Sequence, residues 1–380
     1  MKLYEYEGLE LFRLEGIASP EFFVVTSPDE ARGKASSMGC PVVVKAQVLR
    51  GGRYLAGGVK TANTPAEAFN LAKNLLSLQI ADFPVTQLVI SRKVEIMREV
   101  YLGITIDEYR GTPVAILSPE GGIAINTIAR ERPETLISRP FSISQGLSHA
   151  DARRMCRAVG LRGSDFTEIS STLFSLYQVF RKNDALLAEI NPLVKTMSGH
   201  YLALDAKVEI DDSSLFRHPE LKNNHFNRII NPLERKGREI GVTYVELDGD
   251  IAIIASGAGL GMASMDIINN KLSAANFLET GGAITEELLY KVTDLVLQKP
   301  GIRGLFINVY GGINPIHEGA KGVVRYLQEH HIKIPVLAKA LGNHQEETWE
   351  IFRRHGVHVA SGVSTESAVD ELVKIVGVKA

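Results

Sequence analysis

The chain is poor in cysteine. Among its 380 residues only Cys40 and Cys156 occur, far apart and in no CxxC pair. That excludes a disulfide framework and a cysteine zinc site, and it suits a reducing, cytoplasmic setting. Net charge is scarce too. The 42 basic residues stand against 44 acidic ones, which leaves −2 at pH 7. No strong field draws such a chain to nucleic acid or to an anionic membrane. The densest basic patch, Arg235-Lys-Gly-Arg238, is short and sits in a polar stretch that reads as a linker. No apolar run approaches the ~20 residues that a membrane-spanning helix needs. The N-terminus, Met1 to Glu7, is acidic and amphipathic, unlike a signal or transit peptide. What remains is an ordinary globular composition, 45% hydrophobic and 23% charged. The length predicts about two or three domains.

Strands and helices alternate throughout, which predicts an α/β architecture. Residues 3–15 pattern as a short helix ended by Gly16, and Phe22–Val25 as a strand. Ser27-Pro-Asp-Glu30 and Thr64-Pro-Ala-Glu67 each set a capping residue before a proline, with a glutamate three positions on, so each opens a helix. Pro41–Lys45 reads as a buried strand ending in a lysine. A second block of strands starts near Gln87–Ile90 and runs through Val100–Ile106 and Val114–Leu117. Ser148–Asp151 opens a helical region that reaches about Lys182. Residues 211–240 are polar and hold Pro219 and Pro232, so the boundary is placed there, with domains at 1–230 and 241–380. From Val242 the pattern becomes regular βα units whose strands run into glycine turns at Ser256–Gly261, Gly281-Gly282, Gly311-Gly312 and Leu341–Asn343. A parallel open sheet is predicted, with ligands at the C-terminal edge of its strands.

Several constellations carry chemistry. Asn191 and Asp205 read as lying on two neighbouring strands joined by the turn Met197–His200. An amide oxygen and a carboxylate suit a hard cation such as Mg²⁺. A polar hairpin in which Asn191 caps a turn before Pro192 accounts for the same residues equally. Lys45 leads into Gly51-Gly-Arg53 and Ala56-Gly-Gly-Val-Lys60, a basic, glycine-rich loop between two strands. Glycines admit phosphate oxygens to backbone N–H groups, and the cations neutralise charge. It is not a Walker loop, since no Gly-Lys-Ser/Thr opens a helix. Glu99 opens a strand and offers a carboxylate to a ribose; Glu120-Gly-Gly122 is a turn after a strand. In the C-terminal units each glycine turn points a helix N-terminus toward a possible anion, with Asn314 as a capping residue and Pro315 as the first helical residue.

Together these residues resemble the β subunits of succinyl-CoA synthetase, which are ATP-grasp enzymes. The resemblance runs from Leu3-Tyr-Glu-Tyr6 through Lys45-Ala-Gln-Val48, Glu99-Val-Tyr-Leu-Gly103, Glu189-Ile-Asn-Pro-Leu193 and Leu204-Asp205 to Asn308–Ile313. It implies an ATP-grasp domain of two subdomains, followed by a flavodoxin-like CoA-ligase domain. It further implies Mg²⁺, ATP and CoA, and a separate α subunit that carries a phosphohistidine and most of the CoA site. The α-type Gly-His-Ala-Gly loop is absent here. The chain is therefore expected to be half of an enzyme, usually a heterotetramer of the tricarboxylic acid cycle, acting on a small carboxylic acid. Carried over residue by residue, Lys45, Gly52, Arg53, Tyr54, Ser91, Val94 and Glu99 would line the nucleotide. Asn191 and Asp205 would hold Mg²⁺, Glu189 would steady the phosphohistidine, and Ser256, Gly312, Ile313 and Asn314 would meet the acid.

Several positions depart from the family. The Gly-Gly-Arg-Gly-Lys loop reads Gly51-Gly-Arg-Tyr-Leu55, and a linker glutamate is Ser91. An asparagine is replaced by Ser256, the residues after Gly-Gly-Ile are Asn314-Pro-Ile-His317, and Glu-Gly-Asn-Asn is Leu341-Gly-Asn-His344. These changes cluster where the acid would bind. Succinate is the expected acid, with a malate- or citrate-type ligase as one alternative. A non-catalytic nucleotide-binding assembly subunit is the other.

Overall fold

A computed structural model describes residues 1–81, 83–122, 125–221 and 228–377. The chain divides into two compact units, Met1–Pro219 and Glu220–Ala380. The division falls inside the polar stretch 211–240, of which residues 222–227 lie outside the described residues. No helix among the described residues is long and apolar enough to cross a membrane.

The first unit is built on two antiparallel sheets. One has the order β1 (Phe22–Val25), β6 (Leu88–Arg92), β2 (Val42–Ala46), β3 (Val59–Ala62). Helices α2 (Pro28–Met38) and α3 (Pro65–Leu76) pack on it and share its core. Ser27 and Thr64 cap these helices by accepting from Glu30 N and Glu67 N, as their spacing predicts. The hairpin of β4 (Gln79–Ile80) and β5 (Phe83–Pro84) follows α3. The strand at 88–92 was assigned from sequence to the second block. It pairs instead with β1 and β2, because Leu88, Val89 and Ile90 are all fully buried and need cover on both faces.

The second sheet has the order β11 (Tyr201–Ala203), β10 (Ala185–Thr196), β7 (Ile96–Asp107), β8 (Thr112–Ser118), β9 (Ile137–Pro140), and β12 (Lys207–Ile210) also pairs with β10. Helix α4 (Ile125–Glu131) follows β8. The helical region after Ser148 is two helices, α5 (His149–Ala158) and α6 (Gly163–Lys182), separated at Gly160, whose φ is +76°. Helix α6 lies on β7 and β10, while α1 (Glu5–Leu14) packs on α6 and β12.

The second unit holds one six-stranded sheet: β13 (Thr243–Glu246), β15 (Asn276–Glu279), β14 (Ile251–Ala255), β16 (Gly304–Gly311), β17 (Val336–Gly342), β18 (His358–Val359). It is parallel except for β13, which runs antiparallel to β15 and corrects the all-parallel expectation. Leaving that edge aside, the order is 2-1-3-4-5, the flavodoxin-like winding. Successive residues go to opposite faces. Ala252, Ile254, Leu305 and Ile307 pack with α9 (Glu286–Leu297) and α10 (Ile316–Glu329). Ile251, Ile253, Phe306 and Leu337 pack with α8 (Ala258–Asn269) and α12 (Thr365–Val376). Both faces are thus covered, which explains the continuous apolar runs. The basic patch at 235–238 is no linker: it lies on α7 (Pro232–Ile240), where Asn231 Oδ1 caps Leu233 N and Glu234 N.

Helices α9 and α10 touch through a glycine. A β-carbon at Gly322 would stand 2.0 Å from the Glu286 carbonyl oxygen, so the helices must separate to admit one. Gly322→Ala is expected to destabilise the second unit by about 1–3 kcal/mol. Denaturant unfolding checks this, and an unchanged midpoint would contradict the close approach.

Candidate functional site

Helix α1 carries the organising charge. Its buried face consists of Glu5, Gly8, Leu9 and Phe12, so a carboxylate stands on an otherwise apolar stripe. Gly8 lets the helix come close: a β-carbon there would meet the Ala206 β-carbon at 2.9 Å. Glu5 is only 3% exposed. Lys45 Nζ, on β2, donates to Glu5 Oε1 at 2.7 Å and to the Leu204 carbonyl at 2.6 Å. Arg53 lies 2.7 Å from Glu5 Oε2, and its other terminal nitrogen donates to Asp205 Oδ1 at 2.7 Å. Gln47 Nε2 adds a bond to Glu5 Oε2 at 3.2 Å. Burial alone would raise the Glu5 carboxyl. The Lys45 and Arg53 charges and the hydrogen bonds outweigh it and hold the group at about 2. Lys45 and Arg53 therefore do more than the sequence suggested, since they answer a buried anion before any ligand arrives. Two of three Lys45 hydrogens are so placed among the described residues, which leaves one for an incoming oxygen.

Asp205 is not on a strand, contrary to expectation. The return strand of the hairpin is interrupted at 204–206, between β11 and β12. The pairing on either side of the gap, Leu193 with Ala203 and Glu189 with Lys207, still sets Asp205 across from Asn191. Its Oδ1 accepts from Arg53 and from Ala206 N, so its second oxygen remains for a cation. On the β7 side, the register slips by one residue between Ile190 and Leu193, a bulge that contains Asn191 and the cis bond to Pro192. Asn191 Oδ1 accepts from Gly122 N at 2.9 Å.

Glu189 pairs across the ladder with Gly103. Tyr101, two residues along the same face, folds over that glycine: a β-carbon at Gly103 would meet its hydroxyl at 2.6 Å. The hydroxyl thereby reaches Glu189 Oε2 at 3.3 Å. Burial raises the Glu189 carboxyl above the ordinary range and Asp205 adds to this, while Lys207, Tyr101 and Asn191 pull it back. Glu99 stands opposite Val194, and the Glu120–Gly122 turn lies over it. A β-carbon at Gly122 would fall 1.9 Å from Glu99 Oε2, and one at Gly121 would fall 2.7 Å from the Val100 carbonyl carbon.

The other expected nucleotide residues are more scattered. The 47–58 loop closes as a turn, with Gly52 at φ +83° and Gly58 N donating to the Arg53 carbonyl at 2.8 Å. At its tip Tyr54 is 77% exposed, so its side chain is not gathered with Lys45 and Arg53. Ser91 is buried on β6 between Phe22 and Val43, and Val94 lies half-buried in the link from β6 to β7.

In the second unit the turns meet at the C-terminal edge, on either side of the point where the winding reverses between β14 and β16. Ser256 Oγ donates to the Tyr310 carbonyl at 3.2 Å and accepts from Tyr310 N at 2.8 Å, which clips the two strands together. Asn314 does not cap α10, whose preceding residue is Pro315; its amide donates to the Gly282 carbonyl on the neighbouring turn. Gly312 is exposed and Ile313 is 90% exposed. The Ser256 hydroxyl and the Asn314 amide nitrogen are thus engaged with backbone.

Sequence reasoning missed Glu5 and Tyr101. The signal for Glu5 was present, a glutamate in line with Leu9 and Phe12. Glu5→Gln removes the anion from between two cations and is expected to cost roughly 3–5 kcal/mol at neutral pH. Because the folded carboxyl is depressed, that stability is complete above the ordinary value of 4.5 and is lost as pH falls toward about 2. Denaturant unfolding of both proteins should show their difference narrowing over that window. A difference independent of pH would remove Glu5 from the account.

Comparison with known proteins follows the same division. An ATP-grasp domain family matches residues 2–195 and a CoA-ligase family matches residues 254–373. The ADP-forming succinate–CoA ligase subunit beta of Ignicoccus hospitalis is 37% identical over 376 residues, covering 99% of each chain. The GDP-forming subunit beta of Thermus thermophilus is 38% identical over 360 residues, covering 94% of this chain and 95% of that one. Among solved structures, ATP citrate lyase from Methanothrix soehngenii in complex with citrate and coenzyme A has a TM-score of 0.78 at 19% identity, covering 98% of this chain and 99% of that one, a likeness of fold. An ATP-grasp domain followed by a CoA-ligase domain, with relatives of this identity along nearly its whole length, means that the chain belongs to the family of succinate–CoA ligase β subunits.

Proposed function

We propose that this chain is the β subunit of an ADP-forming succinate–CoA ligase. In this reading it binds Mg-ATP, exchanges a phosphoryl group with a histidine on a separate α subunit, and helps to bind the acid. The observation that carries the reading is the convergence of Lys45, Arg53, Asp205 and Asn191 around the gap at 204–206. Cationic donors and hard oxygen ligands at one place are what a metal-bound polyphosphate requires.

The roles follow from the chemistry. Lys45 and Arg53 retain donor hydrogens for phosphate oxygens after satisfying Glu5. Asn191 Oδ1 and the second Asp205 oxygen fit Mg²⁺, which takes few protein ligands and keeps the rest for phosphate and water. Mg²⁺ held there would neutralise phosphate charge during transfer. Glu99, fixed beneath the Gly121-Gly122 turn, offers its carboxylate to the nucleoside hydroxyls. Glu189 steadies a protonated imidazole beside it, which requires Glu189 to be ionised. Transfer to the α histidine releases ADP. The phosphoryl then passes to the acid, and the CoA thiol displaces phosphate from the acyl phosphate.

A second reading makes the acid a hydroxylated relative of succinate, since the chain departs from the family pattern at Ser256 and Asn314. A site built to hydrogen-bond a hydroxyl discriminates strongly against an acid that lacks it. Co-expression with the candidate α subunit, labelling with γ-labelled ATP and Mg²⁺, and a chase with CoA plus succinate, malate or citrate distinguishes these. Discharge by succinate supports the proposal, discharge only by another acid moves the substrate, and absence of label supports a non-catalytic assembly subunit.

Two variants test the residue roles. Asp205→Asn should abolish labelling of α while the complex still assembles; normal labelling would sink the Mg²⁺ assignment. Tyr101→Phe removes a hydrogen bond that lowers the Glu189 carboxyl. The acid limb of the phosphorylation rate should therefore move to higher pH, and an unmoved limb would contradict the role of Glu189.

A further inference from the structure

His317 and His344, which the nucleotide and acid sites leave unused, come together in the second unit. His317 is the second residue of α10, and His344 immediately precedes α11 (Gln345–Arg354). Their ring centroids are 4.6 Å apart. Glu347, one turn into α11, reaches both rings: its Oε2 is 3.2 Å from His344 Nδ1 and its Oε1 is 3.9 Å from His317 Nε2. Among the described residues this is the one trio of His, Cys, Asp or Glu whose ligand atoms all lie within 4.8 Å of one another.

The backbone beneath the trio is locked. Asn343 N donates to the Gly311 carbonyl at 2.8 Å, Asn343 Nδ2 to the Ile313 carbonyl at 3.0 Å, and Ile316 N to the Asn343 carbonyl at 3.3 Å. The preceding Gly342, at φ +114°, has no room for a side chain, since a β-carbon would lie 2.3 Å from the Gly311 oxygen. His344 itself takes φ +58°, and Thr348, which is buried, donates to its carbonyl through N at 3.0 Å and Oγ1 at 2.8 Å. The imidazoles are therefore presented by a rigid frame, as preorganised ligands must be.

Each ring has a carboxylate of its own, His317 with Glu318 at 3.0 Å and His344 with Glu347 at 3.2 Å. Beyond those pairs Glu347 also reaches toward His317, so two imidazoles and a carboxylate direct lone pairs to one place. His317 Nε2 is now 3.0 Å from Glu318 Oε1, but Glu318 has a second partner in Lys321 at 2.6 Å and can release the ring. His317 Nδ1 is buried without a hydrogen-bond partner, which leaves Nε2 as the ring nitrogen that faces the carboxylates. We propose that His317, His344 and Glu347 bind one divalent transition-metal ion of the Zn²⁺ class, clasping the β16–α10 turn to the β17–α11 turn. Two imidazoles and one carboxylate, with the fourth position left to water, form a recognised zinc ligand set. Nitrogen donors disfavour Mg²⁺, so this site and the oxygen pair Asn191–Asp205 differ in the metal they select.

The test uses the full chain, stripped of metal by chelation and titrated with Zn²⁺ in excess Mg²⁺. One equivalent should bind and raise the melting temperature. His344→Gln and Glu347→Gln, both at exposed positions, should each weaken binding by more than the ~10–100-fold typical of losing an outer partner of a metal ligand. His358→Gln should leave binding unchanged. Co²⁺ should give a visible tetrahedral absorption in the wild type and not in His344→Gln. Variants whose metal-free melting matches the wild type are the ones compared. Equal Zn²⁺ binding by the wild type and the His344→Gln, Glu347→Gln double variant would overturn the proposal, as would a wild type that binds no equivalent.

Discussion

A buried carboxylate between two cations is the constraint around which the first unit is arranged. Burial alone would raise the Glu5 carboxyl. It is ionised because Lys45 and Arg53 lie against it, and each of those reaches further, to Leu204 and Asp205. One anion thereby connects α1, the β2 strand end, the glycine-rich loop and the break between β11 and β12. Gly8 makes the connection possible by letting α1 approach Ala206. Two cations and two carboxylates leave the cluster nearly balanced, so a phosphate arriving there meets placed donors rather than a surplus of positive charge. Preorganised donors of this kind cost little reorganisation when charge arrives.

Missing side chains shape the rest of this site. At Gly103 the absent β-carbon admits the Tyr101 ring, which holds Glu189; at Gly122 it admits the Glu99 carboxylate. Glu189 and Glu99 are thus each positioned with the help of a glycine on a neighbouring strand or turn. The bulge at Asn191 and the gap at Asp205 complete the arrangement, since both residues leave the regular ladder.

The second unit uses a different device. Alternation along its strands buries both faces, and its glycine turns meet at the strand C-termini. There the turns are clipped to one another by Ser256, Asn314 and Asn343. Of the positions that depart from the family pattern, Ser256 and Asn314 fasten turns here, and His317 and His344 converge on a shared carboxylate.

Much of this was legible in the chain itself. The capping spacings at Ser27 and Thr64, the regular βα units from Val242 onward and the Glu189–Leu193 and Leu204-Asp205 segments are local patterns, and local patterns survive folding because they depend on residues a few positions apart. Other features required distant partners. The sequence placed Leu88–Arg92 in the wrong sheet, because pairing is decided by which strands flank it and not by its own composition. It left Glu5 unremarked and made Asn314 a cap, because the first depends on Lys45 and Arg53 and the second on Gly282. The sequence by itself determined the α/β class and the family. Only the tertiary structure decided which charges neutralise which, because a buried ion pair is set by the distances that long-range packing imposes.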